Sequence, residues 1–262
     1  MIAAFRMYLI LGWSELVAYR VVFFLYALWA IFPPLIYLAV WSTVAGGNRI
    51  AGFSNGDFVA YYLAFMVVNH LTGSIEIHTM EWEIRQGAIS SRLLLPVHPA
   101  LRPLASNLCF KGIGLFVVVP GVVLLALLFH PHVQTTPGLL ALAVLATVLA
   151  AALQFLVGMS IALLAFWITR ADAVNQLHDT LLFLLSGQLA PLALLPDGLR
   201  LLATVLPYRY MLSFPVEVAT GHLSQGATAL GFALQLFWLA GGWALFRFTW
   251  ARGVRHYGAV GG

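Results

Sequence analysis

Charge is scarce in this sequence. Asp, Glu, Lys and Arg make up 8% of its 262 residues and hydrophobic residues 62%, where a soluble domain carries about 25% charged residues. With a mean hydropathy of +0.94, water cannot be the main solvent for such a surface, and no room remains for an ordinary soluble catalytic domain. Cysteine is almost absent too. Cys109 stands alone, so no intrachain disulfide forms, and its place in an apolar run reads as small-residue packing. Lys111 is the only lysine, and no GxxxxGK[ST] loop occurs, so the chain does not cradle ATP phosphates in that manner. Internal repeats, low-complexity tracts and linkers are missing as well, which makes residues 1–262 a single membrane domain. The first stretch lacks the uninterrupted apolar core of a cleavable signal, because Arg6, Glu15 and Arg20 break it. Residues 1–20 are expected to stay in the mature protein.

What is present is a series of charge-poor apolar runs. A charge at a helix centre costs about 2.5 to 3.5 kcal/mol on an insertion scale, and a span takes about 20 apolar residues. Six runs are marked out in this way, at about 21–44, 58–75, 108–129, 139–168, 174–192 and 228–249, with Lys111, Asp179 and Arg247 toward the ends of three of them. The proline-bearing polar stretch 130–138 separates the third from the fourth. This pattern predicts an all-α membrane protein of six transmembrane helices. Arg6, Arg20, Arg85, Arg92, Arg102, Lys111, Arg170, Arg247, Arg252 and Arg255 fall on one side of it, and Arg49, Arg200 and Arg209 on the other. The richer side is cytoplasmic by the positive-inside rule, so both termini are predicted inside. The formal charge of +4 is read as this topology signal, not as a nucleic-acid footprint.

Two connections exceed what a turn needs. The outer one, 187–227, is apolar yet broken by Pro191, Pro196, Pro207 and Pro215, which fits helices re-entering the membrane from outside. The inner one is 76–107. Within it, Glu76, His78, Glu81 and Glu83 lack the i, i+4 histidine spacing of a zinc-protease helix and read as a solvated cytoplasmic face. His130 and His132 flank a proline on the outer side, but no neighbouring carboxylate or thiolate completes a ligand set, and no metal is expected. Asn69, His70, Gln154 and Gln188 are polar residues within spans. They serve either as interhelical hydrogen bonds, worth about 0.6 kcal/mol each, or as substrate contacts. No Asp, Glu or Lys is placed near the middle of a span, which argues against proton- or sodium-coupled transport.

The stretch Glu83 to Pro99 is the most informative. A charged helix stops near Gly87, and a short segment follows with Ile89 and Leu93 on one face before Pro96 and Pro99 end it. This describes either a juxtamembrane helix or a compact knob offered to a cytoplasmic partner. The run E-x-R-x-G-x-I followed by L-L-x-P-x-x-P resembles the coupling-helix segment of type-2 ABC exporter permeases. So do the later Ser186-Gly187 with Pro191, Leu195-Pro196 and Leu206-Pro207-Tyr208-Arg209-Tyr210, which resemble that family's fifth-helix and re-entrant region.

The resemblance implies an inner-membrane subunit of a bacterial exporter for an amphipathic, drug-like or lipid-like substrate. Residues 1–20 would form a connecting helix along the inner membrane surface. Glu83, Arg85, Gly87, Ile89, Arg92, Leu93 and Pro96 would meet a separate ATPase, which binds ATP and magnesium. Two ATPases and two permeases would assemble, the second permease being a non-identical homologue. Pro33, Pro34, Gly187 and Pro191 would be bend points at the permease interface and substrate path, with Asn69, His70, Gln154 and Gln188 along it. Two other classes compete: a membrane enzyme acting on lipid through His70, His78 or the outer histidines, and a non-transporting assembly or sensor subunit.

Overall fold

The computed structural model describes residues 2–74, 76–133, 135–168 and 172–257. Ile75, the predicted end of the second span, and Arg170 of the topology count lie outside the described residues. Among those described, helices follow one another as α1 (Ile2–Ala18), α2 (Arg20–Trp29), α3 (Phe32–Ala45), α4 (Asn55–Thr72), α5 (Glu76–Arg85), α6 (Ile89–Leu93) and α7 (Leu101–Phe129). Then come α8 (Pro137–Ala162), prolonged by a 3-10 turn at Leu163–Phe166, and α9 (Asp172–Leu185). A 3-10 turn at Leu192–Leu194 leads into α10 (Asp197–Val205), α11 (Tyr208–Met211), α12 (Ser213–Ala219) and α13 (Gln225–His256). Four stretches are long and apolar enough to cross a membrane: Arg20–Ala45, Leu101–Phe129, Pro137–Phe166 and Gln225–His256. The chain is an all-α membrane protein.

Local chemistry explains the breaks. Pro33 and Pro34 cannot donate amides to the preceding turn, and the helix is interrupted between Trp29 and Phe32. α4 starts on a capping box in which the Ser54 hydroxyl and the Asp57 carboxylate each receive the other's backbone amide. Apolar on every side, it is the buried centre of the bundle: Phe58, Tyr61, Tyr62, Phe65 and Met66 are sealed from solvent. α7 begins at Leu101, not near residue 108, because Pro103 is tolerated in a first helical turn. Lys111 therefore sits ten residues into a long helix, where the sequence pattern puts it near the start of the third span.

α1 packs against α7 through Phe5, Tyr8, Leu9, Gly12 and Leu16, while Trp13 faces outward. Glu15 pairs with Arg102 at 3.5 Å, Gly12 lies against Ser106, and the Cys109 thiol donates to the Leu9 carbonyl at 3.4 Å. These three points give an antiparallel register along α7. Cys109 is the packing residue its context suggested.

The helix of the predicted fifth span stops at Leu185. Gly187 adopts φ +82°, and a Cβ there would come within 2.4 Å of the Tyr61 hydroxyl oxygen. The Tyr61 hydroxyl donates to the Gly187 carbonyl at 2.9 Å. The Tyr62 hydroxyl and the Trp41 indole both donate to the Leu189 carbonyl, at 2.9 and 2.8 Å. The bend is thus fastened to α3 and α4.

Candidate functional site

One end of the bundle gathers α5, α6, the start of α7 and the end of α13, and carries Arg85, Arg92, Arg102, Arg252 and Arg255. At this basic end α5 and α6 are joined by Gly87, whose φ of +74° suits a residue without a side chain. Below the turn lies an apolar cluster of Met80, Ile84 and Ile89 with Met159, Leu163, Phe166 and Phe246. Ile89 is 0% exposed. It packs with Met159 of α8 and Phe246 of α13 and anchors the segment to the chain's own helices. Leu93 is half-buried against the same cluster.

Of the carboxylates read as a solvated face, Glu81 and Glu83 are inside. Glu83 is buried and bound by Arg92, with Arg102 at 4.0 Å. Burial pushes its carboxyl above the ordinary range, although both guanidinium groups pull it back. Glu81, likewise buried, accepts the Asn175 side-chain amide at 2.9 Å and pairs with Arg85 at 3.6 Å. Tyr257 donates its hydroxyl to the Gly87 carbonyl at 3.2 Å and lies 2.8 Å from the Ser90 hydroxyl. The short segment is therefore fixed to α1 through Arg102 and Glu15, and directly to α7, α9 and α13. What it turns outward is Trp82, Arg85, Gln86, Ser91, Leu94, Leu95 and Pro96. Leu94, 87% exposed, is the most accessible apolar side chain of this group.

The polar residues within spans do not converge. His70 reaches the Lys111 carbonyl at 3.1 Å, about 14 Å along α4 from Tyr61 and the Gly187 bend. Asn69 and Gln188 are half-buried, and Gln154 is buried on α8. His132 lies at the opposite end of α4, where its Nδ1 is 3.0 Å from Asp57. The histidines invoked for a lipid-processing enzyme are thus split between the two ends of one helix. Sequence reasoning missed Gln235, a fully buried amide on α13 that donates to the Ala146 and Tyr210 carbonyls at 2.9 and 3.0 Å. Its position within a charge-poor span was the available signal. Pro33 is half-buried and Pro34 buried at the α2–α3 break, and Pro191 is buried after the Gly187 bend.

An apolar helical bundle with four stretches long and apolar enough to cross a membrane defines a multi-pass membrane protein. Residues 25–261 match the family model described as ABC-2 family transporter protein, so the chain belongs to the ABC-2 transporter family. It is a transport membrane component of the kind that works with an ABC ATPase. α1 lies outside the matched residues. No curated protein matches the chain.

Proposed function

We propose that this chain is the permease subunit of an ATP-driven exporter in the bacterial inner membrane. In this reading six spans are formed by α2–α3, α4, α7, α8, α9 and α13, with α10 to α12 re-entering from outside and both termini in the cytoplasm. The basic end then faces the cytoplasm, as the arginine asymmetry requires. Two copies of an ATPase subunit hold ATP and magnesium, and a second, non-identical homologue completes the pair of permeases. Along α2 and α3 a stripe of Leu25, Trp29, Phe32, Ile36, Val40 and Val44 is exposed at helical spacing and offers the face for that pairing. Pro33, Pro34, Gly187, Gln188 and Pro191 border the path between the permeases, and the cargo is amphipathic or lipid-like.

The observation that carries the reading is the construction of the α5–α6 segment. Its inner face is anchored by Ile84 and Ile89 and cross-linked by the Glu83 and Glu81 networks, while Trp82 and Leu94 stand outside. Close-packed interiors transmit displacement instead of absorbing it. A push on Leu94 is therefore delivered to α7, α9 and α13 together. The test is reconstitution in proteoliposomes. The chain alone should neither bind nor hydrolyse ATP, and with its ATPase it should move amphipathic substrate outward on ATP addition. Hydrolysis by the chain alone would refute the subunit reading, and inward movement would refute export.

A further inference from the structure

Between α7 and α13, over the surfaces of α4 and α8, lies an open apolar cavity of about 1250 Å³. That exceeds the roughly 300 to 1,000 Å³ of a typical small-molecule pocket. Leu104 and Leu108 form one wall, Trp243 and Phe246 the other, and small residues of α8 such as Ala151 form the floor. At its basic-end mouth the His98 ring packs on Trp250 at 4.4 Å. Leu108 on the α7 wall and Trp243 on the α13 wall are exposed.

Two cations line it, Lys111 from α7 and Arg247 from α13, and among the described residues no Asp or Glu does. Lys111 is 8% exposed, and neither cation forms an ion pair with a described carboxylate. Lys111 stands ten residues inside α7, about 15 Å from its start, and Arg247 one turn beyond Trp250. An ammonium within an apolar wall is costly without an anion, and protein supplies none at this place. Basic pockets between transmembrane helices near the cytoplasmic surface suit lipid phosphates.

We propose that this groove binds an anionic phospholipid, its acyl chains along α8 and its phosphate held by Lys111 and Arg247. The site follows from the membrane placement of the chain and is independent of what the protein transports. The chain purified in detergent is titrated with phosphatidylglycerol or phosphatidylcholine, and retained lipid is read by native mass spectrometry. Phosphatidylglycerol should bind at least about tenfold more tightly. Lys111→Gln or Arg247→Gln should each weaken it about fivefold, and the pair about thirtyfold. Lys111→Arg should retain binding. Ala151→Trp, which fills the floor without touching charge, should displace both lipids, and glycerol phosphate should not compete. Equal binding of the two lipids, an undiminished preference in the doubly substituted chain, or full competition by glycerol phosphate would each overturn the proposal. Since no ATPase is present, a failure of the transport reading leaves this result unaffected.

Discussion

Tyr257, just past the end of α13, donates its hydroxyl to the Gly87 carbonyl across 3.2 Å and so ties the last helix to the turn between α5 and α6. Tyr257→Phe removes that hydrogen bond and the contact with Ser90 while keeping the ring against Phe166. A loss of about 1 kcal/mol in stability is expected. Permease-dependent stimulation of ATP hydrolysis should fall while assembly with the ATPase persists. Thermal unfolding and hydrolysis of the purified complex measure both, and unchanged stimulation would show that this tie carries no motion.

Buried Glu83 pairs with half-buried Arg92 and closes α5 onto α6. Glu83→Arg places like charges together and should cost about 3 to 5 kcal/mol. Adding Arg92→Glu restores opposite charges and should recover much of the loss. A double-mutant cycle on the unfolding midpoint gives the coupling energy, and additive losses would mean that the pair is incidental.

The bend after α9 has a sharp requirement. Gly187→Ala meets both a left-handed backbone and the Tyr61 hydroxyl oxygen, so it should lower the yield of folded protein severely. Tyr61→Phe on that background removes the clash with the oxygen but neither the backbone strain nor the approach to the Ser213 Cβ at 2.7 Å. Partial recovery is expected in size-exclusion profiles; full recovery would show that the hydroxyl oxygen alone sets the requirement.

At the other end of α4, the Asp57 carboxylate accepts the Ser54 amide and hydroxyl and lies 3.0 Å from the His132 Nδ1. Asp57→Asn should weaken the cap by about 1 kcal/mol. Thermal unfolding midpoints of the two proteins test it; identical midpoints would contradict it.

Much of this architecture is legible in the apolar runs, since a charge-poor stretch of span length leaves few alternatives. Paired prolines mark the α2–α3 break, and Gly187 followed by Pro191 marks the bend. Burial at the basic end is not legible. Ile84, Ile89 and Leu93 have the spacing of an apolar face, but spacing does not say whether that face meets the chain's own helices or another protein. Glu81 and Glu83 look solvated until Asn175, Arg92 and Arg102 arrive from distant positions. Lys111 changes meaning with the start of α7, which a proline in the first turn left ambiguous.

The contrast between Leu94 and Ile89 tests the coupling account most directly. On a Cys109→Ala background, Leu94→Cys and Ile89→Cys are treated with a short bifunctional thiol–amine cross-linker in the complex with the ATPase. The account predicts strong cross-linking of L94C to the ATPase, altered by ATP, and none of I89C. It also predicts that Leu94→Asp uncouples hydrolysis from transport with the fold intact. An absence of L94C cross-linking in an assembled complex, together with normal transport by Leu94→Asp, would contradict it.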